Sequence, residues 1–199
     1  MIQKISPNNI RVINDKYVYE KKTTFHYKPG NFIFDFRVED ENNKMLYKHK
    51  YNGITGNSVL YDPKTDKKLF KFKVISHITK PNEIIITSMK DDKEMEKISC
   101  IQTVKPLFIK YKCEIEFFNK ATKKNEIIEV RCPSFNKDCT VYYGREKENG
   151  ILIGQFSSKS FFGSDFKIDI MPGVDTLFIL LIIIQVIRSV HARKVAAAS

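Results

Sequence analysis

Asp165-Phe166-Lys167-Ile168-Asp169-Ile170-Met171-Pro172-Gly173-Val174-Asp175 leads, through Thr176, into an almost wholly apolar run from Leu177 to Ile187. Its first half alternates apolar and polar residues with the period of a strand. Pro172-Gly173 then marks a turn, and the run beyond it offers no polar face at helical spacing. A helix that is apolar all round is satisfied only when protein surrounds it. The stretch therefore predicts a helix from near Thr176 to near Arg188, buried in a shell that the rest of the chain must supply. Its length argues against a membrane anchor. The 11 residues from Leu177 to Ile187 rise only about 17 Å as a helix, against a hydrocarbon core of roughly 30 Å. Its many isoleucines lower intrinsic helix preference, so the enclosing structure must provide much of the drive.

The preceding sequence supplies the walls. Phe32, Phe34, Phe36 and Val38 alternate with Ile33, Asp35 and Arg37; Phe70, Phe72 and Val74 alternate with Lys71 and Lys73. Ile109, Tyr111, Cys113, Ile115 and Phe117 repeat the pattern against Lys110, Lys112, Glu114 and Glu116. Shorter strands are predicted at 84–86, 127–130, 140–143, 151–153 and 166–170, separated by turn residues such as Asn42-Asn43, Asp62-Pro63, Thr65-Asp66, Lys80-Pro81-Asn82, Asn119, Asn136-Lys137-Asp138 and Asn149-Gly150. The spacing reads as a meander of hairpins, and closing it around the C-terminal helix removes exposed edges. A chain of 199 residues suffices for one core, so a single domain over 1–199 is expected. Residues 1–11 and 191–199 are its candidate flexible ends.

Little in the chain suggests chemistry. His26, His49, His77 and His191 are widely separated, and Gly53-Ile54-Thr55-Gly56-Asn57-Ser58 lacks the Gly-Lys-Ser/Thr ending of a phosphate loop. Cys100, Cys113, Cys132 and Cys139 are spaced by 13, 19 and 7 residues, without a close pair. They read as reduced, partly buried thiols, with a disulfide or zinc framework as the other reading. Asp169 falls on the strand face opposite Phe166, Ile168 and Ile170, which predicts solvent exposure. Asp175 stands where a carboxylate caps the first amides of a helix. No enzymatic activity, cofactor or metal is expected. The first residues lack the apolar stretch of a secretory signal, which predicts a cytoplasmic location, peripheral at a membrane.

At the level of residues, the segment from Phe166 to Asp175 followed by Leu177 to Ile184 resembles the closing strand, Pro-Gly-x-Asp turn and central helix of LURP-one-related proteins. These belong to the Tubby C-terminal-like superfamily, which includes the phospholipid scramblases. Phe36-x-Val38-x-Asp40 and Val59-Leu60-Tyr61-Asp62-x-x-Thr65-x-x-Lys68-Leu69-Phe70 resemble the early repeats of the same family. The resemblance runs from about Val12 to Arg188 and implies an all-β fold, a 12-stranded closed antiparallel barrel around a buried hydrophobic C-terminal helix. Tubby proteins of this superfamily bind phosphoinositides through basic surface residues, which makes phosphoinositide binding the lead from the resemblance, while LURP-one-related proteins have no generally established activity. The chain carries neither the long proline-rich arm nor the cysteine run of a scramblase. No residue of a tubby phosphoinositide site is carried over.

Charge gives the remaining lead. Lys and Arg number 34 against 23 Asp and Glu, a formal charge of +11, which favours anionic surfaces and polymers. Lys64, Lys67, Lys68, Lys71, Lys73, Lys110 and Lys112 are the expected contacts for an anionic membrane lipid or an acidic protein, provided that the strands carrying them are neighbours. A structural or protein-interaction barrel that uses its charge for solubility is the alternative. Nucleic acid is disfavoured, because Tyr61, Phe70, Phe72, Tyr111, Tyr142 and Tyr143 fall mostly at inward positions, unavailable for base stacking.

Overall fold

Alternation turns one row of each strand inward, and strand after strand along this chain repeats the device. The computed structural model describes residues 10–30, 35–106, 110–133, 138–158 and 165–198. These contain β1 (Thr23–Pro29), β2 (Asp35–Asp40), β3 (Met45–Tyr51), β4 (Ser58–Tyr61), β5 (Lys68–Ile75) and β6 (Asn82–Lys90). They continue with β7 (Lys93–Pro106), β8 (Tyr111–Asn119), β9 (Lys124–Cys132), β10 (Cys139–Tyr143), β11 (Ile151–Ser158), β12 (Phe166–Ile170) and the helix α1 (Thr176–Ala198). Each strand pairs antiparallel with the next, and β1 closes on β12, with Phe25 opposite Ile168. The result is the closed 12-stranded barrel expected of the chain. Phe32, Ile33, Phe34, Ile109, Asn136 and Lys137, which entered the strand and turn readings, lie outside the described residues.

Two turns show how local chemistry directs the path. Asp91 and Asp92 join β6 to β7 with φ of 48° and 62°, the left-handed pair that matches the twist of a tight hairpin and that aspartate tolerates. Gly173, at φ 82°, follows Pro172 in the turn into α1, where a Cβ would be strained. Its amide donates to the Tyr19 carbonyl at 2.8 Å, so the turn is held to the N-terminal segment.

The residues from Leu177 to Ile184 are each at most 2% exposed, and Phe178 packs on Phe117 with ring centroids 5.3 Å apart. Burial of this kind is worth about 1.5–3 kcal/mol per large apolar side chain, which offsets the weak helix preference of isoleucine. The helix does not stop near Arg188, as the apolar run suggested, but continues to Ala198. An apolar run reports enclosure, whereas helicity persists wherever backbone bonds propagate through residues such as Ala192 and Ala196. No described helix is long and apolar enough to cross a membrane.

Candidate functional site

An up-and-down barrel has two ends of different character. The β12–α1 turn lies at one end, together with the turns β2–β3, β4–β5 and β6–β7. The later part of α1 reaches the opposite end, where Arg188 meets Ser58 at the start of β4. The connections β1–β2, β3–β4, β5–β6 and β7–β8 belong to that second end, here termed the exit rim.

The seven lysines singled out by the sequence are not gathered into one patch. β5 and β8 are separated by β6 and β7, so the condition of neighbouring strands is not met. Lys64 and Lys67 sit in the β4–β5 turn and Lys68 at its edge, at the end away from the exit rim. Lys67 pairs with Asp91 at 3.0 Å, Lys68 with Asp92 at 2.8 Å and Lys71 with Glu94 at 3.1 Å. Lys112 closes on the buried Glu129. Lys73 has no carboxylate within ion-pair distance among the described residues, and Lys110 is exposed just before β8.

Register brings together basic residues that the sequence reading missed. Arg37 on β2 faces Lys48 on β3, and Lys50 lies across from Val59, itself opposite Lys71. Lys48 is held by Asp66 at 2.9 Å and Arg37 by Glu39 at 2.9 Å. Lys50 is exposed, with no such partner among the described residues; its ammonium lies 5.6 Å from the Tyr61 ring centroid. Beside Lys50 and Lys73, the β3–β4 and β5–β6 loops present Ile54 and Ile78, 98% and 103% exposed. The alternation in Tyr47-Lys48-His49-Lys50-Tyr51 was the available signal for this strand.

Beneath the rim lies a cavity of about 600 Å³, within the ~300–1,000 Å³ span of small-molecule sites. Phe36, Val74, Val104 and Phe166 form apolar wall, Asn82 and Gln102 add amides, and Arg188 enters from α1; none of the described lining residues is acidic. The Arg188 guanidinium lies 3.4 Å from the Tyr51 ring centroid. Its Nη1 donates to Ser58 Oγ and, at 3.3 Å, to Gln185 Oε1, while Nε is buried without a partner. Burial lowers the Arg188 pKa, against opposing contributions from Tyr51 and Tyr27.

Adjoining this cavity, His49 is wholly buried, with Nδ1 2.8 Å from the Tyr27 hydroxyl and its ring stacked 5.4 Å from Phe72. Burial, reinforced by the positive charge of Arg188, lowers the His49 pKa to about 3. The histidine is therefore neutral at physiological pH. Burial likewise raises the Tyr27 pKa.

The aspartates divide between expectation and correction. Asp175 caps α1, its Oδ1 accepting from the Phe178 amide at 3.1 Å. Its Oδ2 also accepts from the amides of Val12, Ile13 and Asn14 at 3.3, 2.6 and 3.2 Å. Burial nevertheless raises its pKa, outweighing those four amides. Asp169, expected in solvent, is 4% exposed. Thr24 Oγ1 donates to it at 2.7 Å and Gln155 Nε2 at 3.2 Å, with Lys22 and Lys167 alongside. Burial raises its pKa, but Thr24, Gln155, Lys167 and Lys22 together reverse the shift and leave it lowered. Polar neighbours on adjacent strands cover a residue that alternation alone places outside.

Cysteine usage also departs from the all-reduced expectation, because Cys132 and Cys139 form a disulfide across the β9–β10 connection. Cys100 and Cys113 remain buried thiols, and burial pushes Cys100 up to about 12. The described residues contain no group of three His, Cys, Asp or Glu able to hold a metal.

Comparison with known proteins places this architecture. A crystal structure of an Arabidopsis thaliana protein superposes with a TM-score of 0.59 at 18% identity, covering 90% of this chain and 98% of that one. At that identity the likeness is one of fold. No curated protein sequence matches the chain. The family model described as LURP-one-related matches residues 21–186, which span all twelve described strands and most of the buried part of α1. The chain belongs to the LURP-one-related family.

Proposed function

We propose that this barrel is a membrane-peripheral binding module that contacts anionic lipid headgroups with its exit rim. The module is read as a non-catalytic one. The observation that carries the reading is the occurrence at one end of the barrel of two wholly exposed isoleucines, Ile54 and Ile78, with Lys50 and Lys73, which have no carboxylate within ion-pair distance among the described residues. Apolar loop tips enter the headgroup boundary while nearby cations meet the negative surface potential. Lys80 and Lys110 extend the same rim. Of the seven lysines read from sequence, Lys73 and Lys110 suit this role by position, whereas Lys64, Lys67 and Lys68 lie toward the other end. The superfamily resemblance adds phosphoinositides as the favoured headgroup. A cytoplasmic location accompanies the proposal.

Vesicle sedimentation at physiological salt tests it, with neutral, phosphatidylserine and phosphoinositide vesicles compared alongside single-stranded RNA. Lys50→Glu with Lys73→Glu, or Ile54→Asp with Ile78→Asp, is expected to weaken vesicle binding about tenfold or more, with the melting temperature unchanged. Failure to bind any vesicle would overturn the proposal in favour of a protein-interaction barrel that uses its charge for solubility. The ion pairs of Lys67, Lys68 and Lys71 favour that second reading for their own part of the surface. Tight RNA binding with no lipid response would assign the charge to nucleic acid.

A further inference from the structure

We infer that the cavity beneath the exit rim is a site for a single-chain amphipathic anion, its apolar tail among Phe36, Val74, Val104 and Phe166 and its carboxylate or phosphate head on Arg188. The case starts from an unbalanced charge. Arginine stays protonated even when burial lowers its pKa, and Arg188, partly buried and hydrogen-bonded to Tyr51, gains from an anion that pairs with its remaining charge. Ion-pair geometry gives Arg188 no carboxylate among the described residues, and the segments outside them, 1–9, 31–34, 107–109, 134–137, 159–164 and 199, contain no Asp or Glu. The Tyr51 ring and the Nη1 bonds to Ser58 and Gln185 hold the guanidinium in place. They leave Nε, a donor on the edge that grips a carboxylate or phosphate, buried and without a hydrogen-bond partner among the described residues.

The cavity specifies the rest of the ligand. Its walls are mainly aromatic and aliphatic, so a small inorganic anion would leave most of that surface wet, and a neutral lipid would leave Arg188 uncompensated. An apolar body bearing one anionic head satisfies both. The site is lined by β1, β2, β3, β5, β6, β7, β8, β12 and α1, and it does not depend on the lysines or isoleucines of the rim.

Isothermal titration of the full chain at pH 8, below micellar concentrations, separates the possibilities. The probes are dodecanoate, dodecyl phosphate, 1-dodecanol, acetate and inorganic phosphate. One-to-one binding of dodecanoate or dodecyl phosphate is expected, at least tenfold tighter than dodecanol and than either small anion. The better of the two long-chain probes identifies the head. Arg188→Gln should remove the preference over dodecanol without lowering the melting temperature, and Val104→Trp, which fills the cavity, should remove binding of both chains. Lys50→Glu with Lys73→Glu should leave the titration unchanged, which separates this site from the vesicle contact. Equal binding of dodecanoate and dodecanol, equal binding of acetate, or no binding by the wild-type chain would each overturn the assignment. The wild-type comparison decides even should Arg188→Gln fail to fold.

Discussion

Lowering the pH should destabilise this barrel through His49 by an amount that the structure sets. The unfolded chain binds a proton on this imidazole below its ordinary value of 6.5, while the folded state resists protonation down to about 3. Between those values the unfolded state holds more protons, so stability rises with pH and is lost as pH falls. At 1.36 kcal/mol per unit, the loss from pH 7.5 to pH 5 is roughly 2 kcal/mol, or about 4–8 °C in melting temperature for a domain of this size. Other groups titrate over the same interval, so the measurement must be differential. The double variant Tyr27→Phe with His49→Phe removes both partners of the 2.8 Å hydrogen bond and retains rings against Phe36 and Phe72. Exchanging both partners for apolar groups of similar shape is close to neutral, so the variant should match wild type at pH 7.5. Thermal unfolding followed by circular dichroism should then show a shallower decline toward pH 5, by about 2 kcal/mol. An identical decline in the two proteins would refute the placement of a neutral, proton-excluding His49 in the core.

The buried helix and its cap make two further tests. Ile183 is 0% exposed; Ile183→Asp should abolish cooperative urea unfolding, since an uncompensated buried charge costs about 3–5 kcal/mol beyond the lost packing, whereas Ile183→Val should cost only about 1 kcal/mol. A native-like midpoint for the aspartate variant would place the helix outside the barrel. Asp175→Ala should lower stability by about 3 kcal/mol or more, because the amides of Val12, Ile13, Asn14 and Phe178 lose their acceptor. Urea midpoints measure this, and a change under 1 kcal/mol would show that those amides find other partners.

Much of the fold was legible because enclosure leaves a signature in hydrophobic order. The run from Leu177 to Ile184 demanded a shell, and the alternation at Phe70-Lys71-Phe72 and from Tyr111 to Phe117 described its walls. Asp175 was readable as a cap because capping is local. β1 and β7 were not read, since Thr24, His26 and Ser99 stand in stretches with no long apolar period and their pairing comes from neighbours in the sheet; β3 was missed although Tyr47, His49 and Tyr51 alternate with Lys48 and Lys50, because none of those three rings is aliphatic. The far end of α1 was missed because polarity returns at Arg188 while backbone hydrogen bonding continues to Ala198.

The sequence by itself determined that an all-apolar helix must lie inside a β shell, because side-chain identity sets how unfavourable it is to leave Leu177 to Ile184 in water. Only the tertiary structure decided which charges stand together. Sequence assembled Lys64 to Lys73 with Lys110 and Lys112, but two intervening strands separate β5 from β8, and Asp91, Asp92, Glu94 and Glu129 engage four of those lysines. It likewise decided that the partly buried Arg188 and the buried His49 and Tyr27, far apart in the chain, come together at the exit rim. Electrostatic interaction depends on distance and local dielectric, and neither is set until the barrel closes.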